Sequence, residues 1–290
     1  MKGIAILNGY QIVDGVRYVY DRMKEELGKL GVSLDLSTTA EAYSLVDNSQ
    51  IKRRFDYDFV LFLDKDVYTS MALEKAGIKL FNSAKSIWLC DDKMVTHIFL
   101  SGLGIKMPKT ISAPLNYSDN SSERFIERVM QEIDFPLVAK KSFGSLGKSV
   151  YLINNKQELI EWDTQNRFEQ RLYQEFIKSS FGFDYRLIVI GGKFLTGMKR
   201  VNTNGDFRSN IALGGQGEKV DIPQSYIDVA ERCASALGLD YCGVDLLMGK
   251  EGEPILCEVN SNAFMAGIEK ITGVNVAGAF AKHIVNQLKQ

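Results

Sequence analysis

The first third of the chain alternates short apolar runs with amphipathic stretches: IAILNGY, a segment from Asp14 to Leu30 closed by Gly31, then VSLDLS, DFVLFLD, a short helix and IKLFN. Apolar runs of strand length separated by helical periodicity predict βαβ units and a small parallel sheet. The loop NGYQIVDG after the first run lacks the GxGxxG spacing of a dinucleotide site and reads as a plain strand-to-helix connection. Near residue 85 the pattern changes. SAKSIWLCDDKMVTHIFLSGLGIKMPKT reads as two short helices, the second ended by Gly102, Gly104 and Pro108. A polar loop, APLNYSDNSS, precedes a helix from about Glu123 to Glu132, and FPLVAKKSFGSLGKSVYLI reads as strand, glycine loop, strand. After a helical segment around Gln157 to Arg167 comes YQEFI, and then DYRLIVI and KFLTGMKRV, joined by Gly191-Gly192 as a hairpin. A helix from Gln224 to Leu237, a last hairpin and a closing helix complete the pattern, without internal repeats.

Composition narrows the function. With 35 Lys and Arg against 36 Asp and Glu the formal net charge is −1, which argues against a polyanionic partner such as nucleic acid. A hydrophobic fraction of 45% over 290 residues supports a sizeable folded core rather than disorder. No apolar run approaches the roughly 18 residues of a membrane span, and Asn8 interrupts the opening run, so a cytoplasmic protein is expected. Cys90, Cys233, Cys242 and Cys257 lack CxxC spacing and sit among apolar residues, as buried reduced thiols do. Two histidines, His97 and His283, exclude a histidine-rich metal site. The basic IKRRF run reads as a solvated face. Chemistry must therefore rest on carboxylates, cations and backbone groups.

Two segments carry it. SFGSLGKS, Ser142 to Ser149, nearly matches a P-loop, but Ser142 replaces the first glycine and the following SVYLI is strand-like, not helical. The loop instead joins antiparallel strands, where Gly144 and Gly147 allow either a simple flexible turn or a flap whose N–H groups cover phosphates. Lys140, on the strand feeding it, lies in the apolar context FPLVA and needs an anionic partner. The second segment is GVDLLMGKEGEPILCEVNSN. If its hairpin closes symmetrically, Met248 faces Ile255 and Asp245 faces Glu258, with Asn260 on the Glu258 side and Val244, Leu246, Met248, Ile255, Cys257 and Val259 on an apolar face. Opposed Cβ atoms lie about 5 Å apart. Two carboxylates at that distance repel by about 3 kcal/mol at an effective dielectric of about 20. A cation relieves the repulsion, and oxygen-only ligation favours magnesium or manganese. Screening by bulk water, or a bulge separating the acids, is the alternative.

Taken in order, FNSAKSIWLCDDK, LVAKKSFGSLGKSV, QEFI, DYRLIVIGGK, MKRVNTNGDFRSN, LGLDYCGVDLL and EVNSN with AGIEKITGVNVA resemble the ATP-grasp superfamily. Within it they resemble the RimK-type carboxylate–amine ligases, which look similar to bacterial glutathione synthetases and amino-group-carrier glutamate ligases. The resemblance covers about residues 82 to 290. It implies an α/β chain, α+β in its C-terminal part: an ATP-grasp fold preceded by a small N-terminal parallel α/β domain. The expected division is 1–85, a central subdomain 86–172 bearing the glycine flap, and a C-terminal subdomain 173–290 bearing the metal site. It further implies that Lys93 and Lys140 contact ATP phosphates, with Ser145 and Gly147 in the flap that closes over them. Glu175 and Ile177 would lie at the adenine hinge, Asp184 near the ribose, and Arg200 and Arg208 at the γ-phosphate and activated carboxylate. Asp245, Glu258 and Asn260 match the family's Mg2+ (or Mn2+) ligands.

The implied activity is ATP-dependent ligation of a small-molecule or peptide carboxylate to an amine through an acyl phosphate, releasing ADP and phosphate. An ATP-grasp kinase and a non-catalytic nucleotide-binding module are the alternatives, and homo-oligomerisation stays open. One departure concerns the substrate. RimK-type ligases continue from EVN through Ser-Pro-Gly, whereas this chain reads Ser261-Asn262-Ala263-Phe264-Met265-Ala266-Gly267. ATP use carries over and substrate identity does not. Phe264 and Met265 become candidates for an apolar pocket, with core packing the favoured role for either one, and Glu269 and Lys270 become candidates for further contacts.

Overall fold

The structure is a computed structural model that describes residues 1–51, 56–118, 123–210 and 214–289. Of the IKRRF run only Ile51 falls within them, and the end of the APLNYSDNSS loop lies outside them. Three sheets form the scaffold, with the layers interlocked rather than strung on linkers. The first is parallel throughout. Strand β1 (Lys2–Leu7) leads into helix α1 (Asp14–Lys29) and strand β2 (Ser33–Thr38); a two-stranded hairpin, β3 (Val46–Asp47) and β4 (Gln50–Ile51), precedes strand β5 (Phe59–Phe62), helix α2 (Val67–Lys75) and strand β6 (Lys79–Phe81). The sheet order is β2-β1-β5-β6. Every residue of β5 is buried, which is why its sequence is an unbroken apolar run rather than an alternation.

Helices α3 (Ala84–Asp91) and α4 (Lys93–Leu100) follow, each begun by a side chain that satisfies free backbone N–H groups: Ser83 for α3, and Asp92, accepting from Met94 and Val95, for α4. The second sheet is antiparallel. It contains β7 (Thr110–Ser112), β8 (Leu137–Lys141), β9 (Val150–Ile153) and β10 (Arg171–Glu175) in the order β7-β10-β8-β9, covered by α5 (Glu123–Glu132) and α6 (Lys156–Gln165). Strand β10 straddles the boundary expected at residue 172 and belongs to this sheet.

A single 3-10 turn, Lys178–Ser180, leads into the third sheet, of β11 (Phe183–Ile190), β12 (Lys193–Val201), β13 (Gln216–Glu218), β14 (Tyr241–Met248) and β15 (Pro254–Asn260) in the order β13-β12-β11-β14-β15. Helix α7 (Gln224–Leu237) buries one face of it. Helices α8 (Ala266–Thr272) and α9 (Val276–Leu288) cover the other, in one core shared with α1 and the first sheet: Ile188, Met198 and Phe280 pack with Met23, Leu61 and Phe81. The buried Asn82 fastens the two layers. Its amide donates to the carbonyls of Tyr241 and Ser261, and its oxygen accepts from the N–H groups of Asp240 and Tyr241. Among the described residues no helix is long and apolar enough to cross a membrane.

Candidate active site

Strands β14 and β15 pair in the register that alternation predicts, but only for half their length. Asp245 lies opposite Glu258, Val244 opposite Val259 and Gly243 opposite Asn260. A bulge between Asp245 and Leu246 then shifts the pairing, so Leu246 faces Leu256, Leu247 faces Ile255 and Met248 faces Pro254. Two residues on β15 thus stand against one on β14, which reverses the facing of everything nearer the turn. Leu256, not Cys257, enters the core beside Leu246, and Cys257 lines a cleft next to Glu258. The expected core placement of Ile255, Cys257 and Met248 is corrected accordingly: all three are only partly buried. The other three cysteines are buried free thiols.

The cleft, a cavity of about 110 Å³, lies between the second and third sheets under the glycine loop. Its lining brings together Lys93, Lys140, Ser145, Gly147, Glu175, Ile177, Asp184, Arg200, Arg208, Asp245 and Glu258 from eight separate stretches of sequence. Asn260 lines a second, larger cavity of about 530 Å³ between the third sheet and the N-terminal layer. Ser145, Leu146, Arg200, Asn210 and Glu258 line both, so the two cavities meet at the flap, the γ-phosphate arginine expected from sequence, and one of the paired acids.

Charge in the cleft is organised by a residue the sequence reading passed over. Arg186 grips Asp245 through two N–H···O contacts of 2.7 and 2.6 Å. Arg200 reaches Asp245 Oδ2 at 2.9 Å and forms a two-pronged contact with Asp184. All of this follows from register, because Asp184 pairs with Arg200 across β11 and β12, and Arg186 pairs with Asp245 across β11 and β14. Asp245 is fully buried, which pushes its carboxyl up, yet Arg186 and Arg200 outweigh that and hold it below its ordinary value. The repulsion argued from the hairpin alone is therefore offset at Asp245 by two guanidinium groups. Glu258 is partnered by Lys93 at 3.5 Å.

Lys140 has a different environment. It is 8% exposed, and among the described residues no carboxylate lies within ion-pair distance of its ammonium. Behind it sits His97, whose pKa falls to about 4, first from burial and then from the Lys140 charge, so the imidazole is neutral at physiological pH. The flap is tethered from below. Lys93 Nζ donates to the Gly144 carbonyl at 3.0 Å, and Arg208 donates to the carbonyls of Gly147 at 2.8 Å and Val150 at 3.3 Å while pairing with Asp206. Gly144 has φ of 138° and Gly147 φ of 72°, conformations that favour glycine, and Leu146 between them is held at φ 62°. Glu175 binds Lys109 through both its N–H and its carboxylate.

Asp245, Glu258 and Asn260 supply only oxygen-bearing groups, the donor type a hard divalent cation takes, although both oxygens of Asp245 are here engaged by Arg186 and Arg200. Asp245, Glu258 and the Asn260 amide are oxygen donors on adjacent paired strands, with Asn260 Nδ2 3.4 Å from Asp245 Oδ2. Among the described residues no group of three or more His, Cys, Asp or Glu could hold a metal by itself. Two carboxylates completed by phosphate oxygens and water is the arrangement that magnesium favours.

In the larger cavity, Asn8, Gln11 and Asp64 of the N-terminal layer face Asn262 and Phe264 of the segment after β15. Phe264 lines it instead of taking the core role expected of it, whereas Met265, 0% exposed, does pack in the core shared by α1 and α9. Glu269 is also removed from substrate contact, because Tyr18, Arg22 and the Ala277 N–H occupy its carboxylate.

The family model for a RimK-like ATP-grasp domain matches residues 90–284. Human beta-citrylglutamate synthase B is 33% identical over 228 residues, 78% of this chain and 58% of that protein, so the chain spans under two thirds of that relative's length. A probable alpha-L-glutamate ligase of Maridesulfovibrio salexigens is 36% identical over 214 residues, 73% of this chain and 68% of that one. Among solved structures, D-alanine–D-alanine ligase from Bacillus anthracis complexed with ATP superposes with a TM-score of 0.73 at 21% identity, covering 99% of this chain and 97% of that one. This last likeness is one of fold.

Proposed function

Because the chain belongs to the RimK-like ATP-grasp family, a family of carboxylate–amine ligases, we propose that it couples cleavage of ATP to ADP and phosphate to amide-bond formation between a carboxylate and an amine. A carboxylate resists amine attack because its oxygen is a poor leaving group. In the proposed reaction a carboxylate oxygen attacks the γ-phosphorus, the bond to the β,γ-bridging oxygen breaks, and ADP leaves. An amine nitrogen then attacks the acyl carbon, the bond from carbon to the phosphate oxygen breaks, and phosphate departs while the nitrogen gives its proton to solvent. Catalysis of this kind is alignment and charge compensation, and it needs no nucleophilic side chain.

The observation that carries the reading is Lys140: a buried ammonium without an anionic partner among the described residues, lining the same cleft as the opposed carboxylates Asp245 and Glu258. A buried unpaired cation is costly unless an anion completes it, and a polyphosphate is the anion this cleft suits. Lys93 and Arg208 would exchange flap carbonyls for phosphate oxygens. Arg200, at the seam of the two cavities, would meet the transferring group, with Arg186 beside it, both fixed by their carboxylate partners. The cleft walls at Glu175, Ile177 and Asp184 would receive the nucleoside. A divalent ion held by Asp245, Glu258 and Asn260 would neutralise charge on the phosphates.

The test is ADP formation with candidate acids and hydroxylamine as the amine. Hydroxamate appearing in step with ADP supports ligation, whereas ADP with a stable phosphorylated product points to a kinase. Lys140→Ala should raise the KM for ATP by roughly tenfold or more, as expected for removing a charge-assisted phosphate contact. An unchanged kcat/KM for ATP would count against the site.

A further inference from the structure

We propose that the larger cavity selects an acid bearing an ammonium group, an aliphatic α-amino acid, and that Asp64 is the residue that recognises the ammonium. This inference rests on the ligase reading and names its acid substrate. Five described residues lining the cavity are ionic: Asp64, Lys65, Arg186, Arg200 and Glu258. Four have ionic partners. Lys65 reaches Asp91 at 2.9 Å, Arg186 grips Asp245, Arg200 bonds Asp184 and Asp245, and Glu258 has Lys93. Asp64 alone is held only by neutral donors, Asn8 Nδ2 at 3.0 Å, the Lys65 N–H at 2.7 Å and the Thr39 hydroxyl, and no cation lies within ion-pair distance of it among the described residues.

The unbalanced charge on the wall is therefore negative. A second or third carboxylate on the substrate would find no cation free of a protein partner there, and would meet Asp64. An ammonium would complete it, because a partly buried carboxylate gains most from a charged donor. Position fits as well. Asp64 follows β5 in the N-terminal layer, while Glu258 and Arg200, at the seam with the nucleotide cleft, belong to the third sheet, so an acid whose carboxylate points to the seam holds its α-substituents between the two layers. The remaining wall is largely aliphatic and aromatic: Val13, Val16, Leu63, Met198, Phe264 and Ile268. A volume of about 530 Å³ accommodates an amino acid together with its acceptor.

The experiment compares three acid classes with the intact chain, ATP and hydroxylamine: leucine, valine and alanine; their N-acetyl derivatives; and citrate with other di- and tricarboxylates. The expected result is hydroxamate from the free amino acids with kcat/KM about a hundredfold above the N-acetyl forms, and little from the polyanions. Asp64→Asn should raise the KM for the amino acid by about tenfold or more and leave the KM for ATP within about twofold. Equal or better use of N-acetyl amino acids or citrate by the unmutated chain would overturn the assignment while leaving the ligase reading intact. No ADP or hydroxamate with any class would instead strike at ligation itself, and the substrate assignment would fall with it.

Discussion

Asp245 is the residue on which charge in the cleft converges, and its titration makes a prediction. Its folded pKa lies below the ordinary carboxyl value near 4, so it contributes stability that is fully present above that value and is lost as pH falls through the folded one. Asp245→Asn leaves Arg186 and Arg200 facing a neutral amide inside the protein. The expected cost at pH 7 is about 3–5 kcal/mol, the range for breaking one side of a buried ion pair, and the gap from the parent protein should close only below about pH 4. Urea unfolding at pH 7 and at pH 3 measures both. Asp64 works with the opposite sign. Burial raises its pKa, so ionised Asp64 destabilises the folded chain above the ordinary value. Asp64→Asn should therefore raise the melting temperature at pH 7, by about 1–3 °C, while impairing use of an ammonium-bearing acid, a combination that a purely structural carboxylate would not give. A melting temperature unchanged or lowered at pH 7 would remove this argument.

Among the elements, the flap and the first turn of α1 are the two whose local chemistry controls a cavity. The flap's three positive-φ positions, Gly144, Leu146 and Gly147, leave it held by Arg208 and Lys93 rather than by a ladder. Arg208→Ala removes two of those contacts. Limited trypsin cleavage after Lys148 should accelerate several-fold, and the KM for ATP should rise about tenfold. At the other cavity, Gly15 packs so closely on Phe264 that an added Cβ would stand 2.6 Å from the ring. Gly15→Ala must displace Phe264, so the KM for the acid should change several-fold while that for ATP does not.

Legibility from sequence divides at this same scale. Alternation and a short turn are local, so the opposition of Asp245 to Glu258 could be read from the chain. The bulge one residue later could not, since an extra residue in a ladder leaves alternation intact on each side of it. Arg186 shows the other limit. It stands two residues after Asp184 on β11, visibly on the same face, but its partner is on β14, and only the strand order β12-β11-β14 brings them together.

At the scale of the molecule, the substrate cavity is an interface, and this explains why its N-terminal wall carried no motif. Asn8 and Asp64 are 56 residues apart and meet because β1 and β5 are neighbours in a parallel sheet; their relation to Phe264 then depends on how α1 lies against α8. The first turns of both helices line the cavity, and a polar network just beyond them fixes the spacing. Glu269 on α8 accepts from Tyr18 at 2.8 Å, from Arg22 at 3.4 Å and from the Ala277 N–H at 3.0 Å. Arg22 also donates to Asn275, whose side chain starts α9 by accepting from the Gly278 N–H. Burial first, and then the Glu269 carboxylate, keeps the Tyr18 phenol above its ordinary pKa, so it remains a donor throughout the physiological range. Loosening this clamp should widen the acid cavity without touching the nucleotide cleft, which is built from the second and third sheets. Tyr18→Phe removes one hydrogen bond and no packing, so the fold should persist with a melting temperature lower by about 2–4 °C. The KM for the acid should rise about three- to tenfold with the KM for ATP unchanged, and steady-state kinetics varying each substrate in turn separates the two. A parallel rise in both constants would mean that the N-terminal layer and the nucleotide cleft move as one body, and that α1 sets more than the acid site.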